Sequence, residues 1–247
     1  METQKSNYDY KNVIQLDGTA DTTRRFMANV FMWMFVALGI SAALSYLFSH
    51  DASLLQLLFN PATGRNTTLG TVTIFAPLAF VLIMSFGINK ISQPVLTVLF
   101  LAFAAVMGIS LSYIFLIYTS ALIGTVFLTT SLVFGVMAVA GYTTHTDLTK
   151  FGSIMIMGLM GIVIASFINY FLRSAQMNYI ISYIGVAVFV GLTAYDVQRI
   201  KRIGEGLEYG DASAGKMAIM GAMTLYLDFI NLFIMLLRVF GGNGRRN

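Results

Sequence analysis

Two aspartates stand out because their surroundings are wrong for a charge. Asp228 lies in Thr224-Leu-Tyr-Leu-Asp228-Phe-Ile-Asn231-Leu-Phe-Ile, about ten residues inside an apolar run. Asp196 lies in Gly191-Leu-Thr-Ala-Tyr-Asp196-Val-Gln-Arg199-Ile, a few residues before the end of another. A carboxylate at membrane depth costs a few kcal/mol on insertion scales, so it needs a partner, a proton or water. Thr224, Asp228 and Asn231 share one helical face through their i, i+4, i+7 spacing. If the two runs are antiparallel neighbours, the carboxyls meet, share a proton and titrate as a unit. Without that proton, two adjacent anions repel each other or bind a hard cation such as Ca²⁺ through oxygen. The bland alternatives stay open at this point. Arg199, at i+3, makes Asp196 a candidate for a simple interfacial salt bridge, and Asp228 is also suited to clamping helices as a hydrogen-bond acceptor.

Other chemistry finds no support. The chain has no cysteine and two histidines, His50 and His145, placed in loops expected on opposite membrane faces. There is no H-E-x-x-H pair and no G-x-S-x-G elbow. Thr146 or Asp147, beside His145, is read as the cap of the fifth apolar helix. Glu205, Glu208 and Asp211 read as a solvated loop. No enzymatic activity and no resident cofactor are expected, apart from Ca²⁺ as a transported or bound ion at Asp196 and Asp228.

The elements that must position the aspartates are apolar helices. Hydrophobic residues make up 57% of the 247 and charged residues 11%, against about 25% charged in soluble domains. The solvent is therefore largely lipid. Seven segments have the ~20-residue length that crosses a bilayer: Phe26–Ser49, Leu69–Ile88, Pro94–Tyr118, Ala121–Tyr142, Phe151–Leu172, Tyr179–Arg199 and Met217–Phe240. The fold class is an all-α polytopic membrane protein. Residues 1–25 read as a mobile polar tail, 26–241 as the transmembrane domain and 242–247 as a short basic tail. The first apolar run is read as a retained helix. The third and fourth segments, separated by Thr119-Ser120, are expected to form a tight hairpin. Gly158, Gly161 and Ala165, and then Ala187 and Gly191, are read as close-packing faces.

Basic residues orient the bundle. With the N-terminus inside, ten fall on the cytoplasmic side (Lys5, Lys11, Arg24, Arg25, Lys90, Lys150, Arg199, Lys201, Arg202, Lys216) and five outside (Arg65, Arg173, Arg238, Arg245, Arg246). A re-entrant last segment would change the ratio to thirteen against two. Its length favours a full crossing.

The segments Gly191–Arg199 and Leu225–Arg238, with Gly108-Ile-Ser-Leu-Ser112 and Gly141-Tyr-Thr-Thr, resemble the signature of the transmembrane Bax inhibitor motif family, in its bacterial inner-membrane branch. The resemblance covers nearly all of residues 20–241. It implies seven helices with the last one central, wrapped by the other six. It implies a pH-sensitive Ca²⁺ leak channel, with Asp196 and Asp228 as the pH-sensing pair. It also implies the alternative of a regulator, since eukaryotic relatives suppress cell death and one bacterial branch restrains a membrane-anchored protease. The expected partners are the lipid bilayer, calcium or other cations and another membrane protein, not nucleic acid. Some members carry an arginine at the cytoplasmic end of the second helix that latches onto the acid pair. Here Phe86-Gly-Ile-Asn-Lys90 offers a lysine, which lacks the bidentate grip. Gating is therefore expected to rely on Arg199 or on the pair alone, with Thr224, Asn231 and Lys90 as candidate supporting residues.

Overall fold

The computed structural model describes residues 10–207, 211 and 213–243. Helices dominate it: α1 (Tyr10–His50), α2 (Ala52–Leu58), α3 (Thr68–Gly87), α4 (Gln93–Leu111), α5 (Ile114–Ile117), α6 (Ser120–Thr143), α7 (Thr149–Leu172), α8 (Ala175–Glu205) and α9 (Ala214–Phe240). Seven are long and apolar enough to cross a membrane, and each corresponds to one of the seven segments read from the sequence. Two short strands, Phe59–Asn60 and Arg65–Asn66, pair in the α2–α3 connection. Thr67 then caps α3 by accepting from the Gly70 amide.

Centrality follows from burial. Of the apolar window of α9, 72% is buried, against 61% for α8 and 11% for α7. The last helix is central, as expected, but four helices rather than six surround it: α1, α4, α6 and α8. The peripheral α3 packs on α4, and α7 packs on α8. The expected tight hairpin does not form. The chain breaks at Ser112, turns through α5 and extends at Tyr118 before α6 starts. As a result α4 packs on α1 and α3, whereas α6 packs on α8 and α9.

Two further expectations change, and the reading of the last helix is kept. Residues 10–25, expected within a polar tail, belong to α1; residues 1–9 lie outside those described, as do Glu208 and the basic Arg245 and Arg246. The close-packing reading holds at Gly158, against Val188, and at Gly191, against Met155, but the position at Gly161 is open. The last helix is one unbroken 27-residue helix, about 40 Å long at 1.5 Å per residue. Its C-terminal Gly241 and Gly242 pack on Tyr118 and Tyr179, at the end where α8 begins. It is therefore long enough to cross fully and lacks the break that a re-entrant segment needs.

Candidate functional site

The acid pair is built by the two most buried helices. Asp196 sits nine residues before the end of α8, and Asp228 fourteen residues after the start of α9. An offset of about a turn between the packed helices brings their carboxyls into direct contact. Both residues are buried, at 7% and 6% exposure. Oδ2 of Asp228 is a buried acceptor without a hydrogen-bond donor. Two ionised carboxylates offer one another acceptors alone, and only a proton on the pair would supply a donor between them.

Arg199 lies at the solvent edge, with Nη1 3.9 Å from Oδ1 of Asp196. At that length it is an electrostatic neighbour rather than a hydrogen-bonded clamp. Both sequence readings of Asp196, salt bridge and acid pair, therefore describe the same residue. Thr224 donates to the Met220 carbonyl of its own helix, 3.1 Å away, so it adds little to the pair. Asn231, one turn further along α9, is half-buried, and its side chain makes no hydrogen bond among the described residues. Lys90 is exposed and forms no ion pair among the described residues. The cytoplasmic end of α3 is instead held by Lys216, which donates to the Ile88 carbonyl at 3.3 Å. Among the described residues no cluster of three His, Cys, Asp or Glu side chains occurs. Two carboxylates alone would supply at most four of the six to eight oxygens that a Ca²⁺ ion takes.

The opposite face of α8 carries residues that the sequence reading passed over. Gln198 bridges the α6–α7 connection, accepting from the Leu148 amide at 2.9 Å and donating to the Thr146 carbonyl at 2.8 Å. Lys201 donates to the Tyr142 carbonyl at 3.0 Å. Arg202 pairs with Asp147 at 2.8 Å and also donates to Thr149. The positions 198, 201 and 202 share a face through i+3 and i+4 spacing, turned away from Asp196. That polar stripe, beside a membrane-depth aspartate, was the available signal. Asp147 also accepts from the Thr149 amide and hydroxyl. These bonds, followed by Arg202, hold its carboxyl well below the usual carboxylate range.

The positions of the two aspartates and their flanking motifs can be set beside known proteins. A family profile described as "Inhibitor of apoptosis-promoting Bax1" matches residues 23–245. The chain belongs to the Bax inhibitor family. Relatives include the inner membrane protein YbhL of Escherichia coli, 46% identical over 217 residues, covering 87% of this chain and 91% of that protein. An uncharacterized protein of Borreliella burgdorferi is 44% identical over 223 residues, covering 90% of this chain and 93% of its own. An uncharacterized membrane protein of Streptococcus pyogenes is 36% identical over 221 residues, covering 89% and 93%. This Bax inhibitor family member is an integral protein of the bacterial inner membrane.

Proposed function

We propose that the protein is a cation leak channel, with Ca²⁺ among its ions, gated by protonation of the Asp196–Asp228 pair. The observation that carries this reading is the donorless Oδ2 of Asp228 held against a second buried carboxyl. One shared proton ties α8 to α9. Its loss leaves two anions in contact, which drives the helices apart or recruits a cation. Protons reach the pair from the cytoplasmic end, where Asp196 borders the exposed Arg199. On this mechanism Ca²⁺ flux rises with pH. In liposomes the wild type shows pH-dependent Ca²⁺ entry, and Asp228→Asn and Asp196→Asn flatten that dependence. Unchanged profiles in both variants overturn the acid-pair gate, and absence of flux at every pH overturns the channel.

One observation favours a second reading, a non-conducting regulator that binds another membrane protein such as a protease or a stress factor. Outward of Asn231 the core of α9 is apolar, with Leu232, Phe233, Leu236 and Leu237 buried. A regulator needs no path there, whereas a channel must open one. On the regulator reading, a membrane protein co-purifies with the wild type and the liposomes stay tight.

A further inference from the structure

Helices α1 and α6 both pack on α9 but leave a fissure between them. Its outer half is a cavity of about 460 Å³, lined among others by Ser41, Ser45, Gly124 and Phe233. Its inner half, about 320 Å³, is lined among others by Phe31, Gly39, Gly135 and Phe229. The two halves share Leu38, Ala42 and Phe127, so they form one groove open to the side.

Three features mark the groove as built for an occupant. First, Gly39, Gly124 and Gly135 face it, and a Cβ at any of them would meet nothing within 4 Å. Small residues in membrane helices ordinarily admit a neighbouring backbone, as Gly141 admits that of Ala194; these three admit open space. Second, Ser45 lines the groove, and its hydroxyl, buried in that wall, has no hydrogen-bond partner; the residue is 5% exposed. An unsatisfied hydroxyl in an apolar wall carries a desolvation cost that a ligand acceptor removes. Third, Ser45 lies five residues before the end of α1, about 7 Å along the axis. That depth is where an interfacial layer of about 5–7 Å gives way to hydrocarbon.

We propose that the fissure between α1 and α6 binds one acyl chain of an outer-leaflet phospholipid, whose ester carbonyl accepts a hydrogen bond from Ser45. From Ser45 to Phe31 the groove follows about 21 Å of helix, somewhat more than the ~15 Å of hydrocarbon in one leaflet. A single extended acyl chain fits cavities of about 460 and 320 Å³ joined end to end. The floor residue Phe229 adjoins Asp228 in sequence and stacks edge-on against Phe127 and Phe134 of α6. A resident chain therefore buttresses the turn that carries the deeper aspartate.

The test uses the full chain in phosphatidylethanolamine–phosphatidylglycerol vesicles containing a phospholipid with a diazirine on its acyl chain. Photolabel concentrates on peptides 31–45 and 124–138, several-fold above the lipid-facing surfaces of α3 and α7. Gly39→Leu with Gly135→Leu abolishes that excess, because leucine fills open space without a clash and favours the helix. Gly161→Leu, at an open position on α7, leaves the excess intact. Ser45→Ala lowers the phospholipid retained through mild-detergent purification while making the delipidated protein no less stable, since the substitution removes the unsatisfied hydroxyl. Even labelling of all lipid-facing helices overturns the proposal. So does label persisting in the double leucine variant, or cross-linking of the groove to a second copy or another protein's helix.

Discussion

Single side chains in this bundle differ in what their loss leaves behind. Ser41 donates to the Ala104 carbonyl at 2.7 Å, so its hydroxyl proton is committed. Tyr226, 2.6 Å away, is therefore the donor to Ser41. Tyr226→Phe deletes one hydrogen bond, worth about 0.6 kcal/mol on average between membrane helices. Ser41→Ala instead strands a fully buried phenol, at about 1–3 kcal/mol. Thermal unfolding in detergent is expected to rank Ser41→Ala as the more damaging, and the reverse order would show that Tyr226 finds another acceptor. Asp147 illustrates the opposite case, a charge that never becomes a sensor. Its carboxyl is held below the usual range, so its contribution is present above the unfolded value of about 3.9. That contribution is lost only as pH falls through the lower folded value. Stability from the Asp147 contacts with Thr149 and then Arg202 is thus flat across neutral pH and declines in strong acid. Asp147→Asn is expected to remove that acid-range decline in pH-resolved unfolding while leaving the neutral-range profile unchanged.

Helices respond to substitution according to what each face meets. Along α6, Gly141 lies against the Ala194 backbone, where a Cβ would collide, whereas Gly135 opens onto the fissure. Gly141→Ala forces α6 from α8 and is expected to cost about 1–3 kcal/mol, the range for overpacking. Gly135→Ala is expected to gain up to about 1 kcal/mol from helix propensity. Equal effects of the two substitutions in an unfolding assay would refute the contrast. On α8, Gln198 holds the amide of Leu148 and the carbonyl of Thr146. Gln198→Ala frees that connection, so hydrogen exchange over residues 144–149 should accelerate while the core of α9 keeps its protection. The helix thus works between two contacts: the acid pair toward α9 on one face and the α6–α7 connection on the other.

At the scale of the whole molecule, an odd number of full crossings puts the chain ends on opposite sides. Because the chain has no cysteine, single introduced thiols report topology without background. In cells with a permeabilised outer membrane, an impermeant maleimide should label Asn66→Cys and Gly242→Cys but not Lys90→Cys. Protection of Gly242→Cys would restore a re-entrant last segment. The architecture also divides labour. With α7 buried over 11% of its span and α9 over 72%, tolerance of polar substitution should follow core position rather than order in the chain.

Membership of the membrane class, seven spans and an acid at membrane depth were legible from the amino-acid order alone. Each rests on local quantities: the length of apolar runs, the scarcity of charge and the cost of burying a carboxylate. The family signature extended that reading to the pairing of Asp196 with Asp228. Contacts between distant segments were not legible. The apparent hairpin at Thr119-Ser120 was a short linker between helices that pack elsewhere, because α5 redirects the chain. Lys216 rather than Lys90 reaches the end of α3, and Gln198 reaches across fifty residues to Leu148. The groove between α1 and α6 has no signature in either helix, since a glycine reads the same whether it meets a backbone or open space. Hydropathy records how deep a residue lies in the bilayer, and packing alone decides which neighbour it finds there.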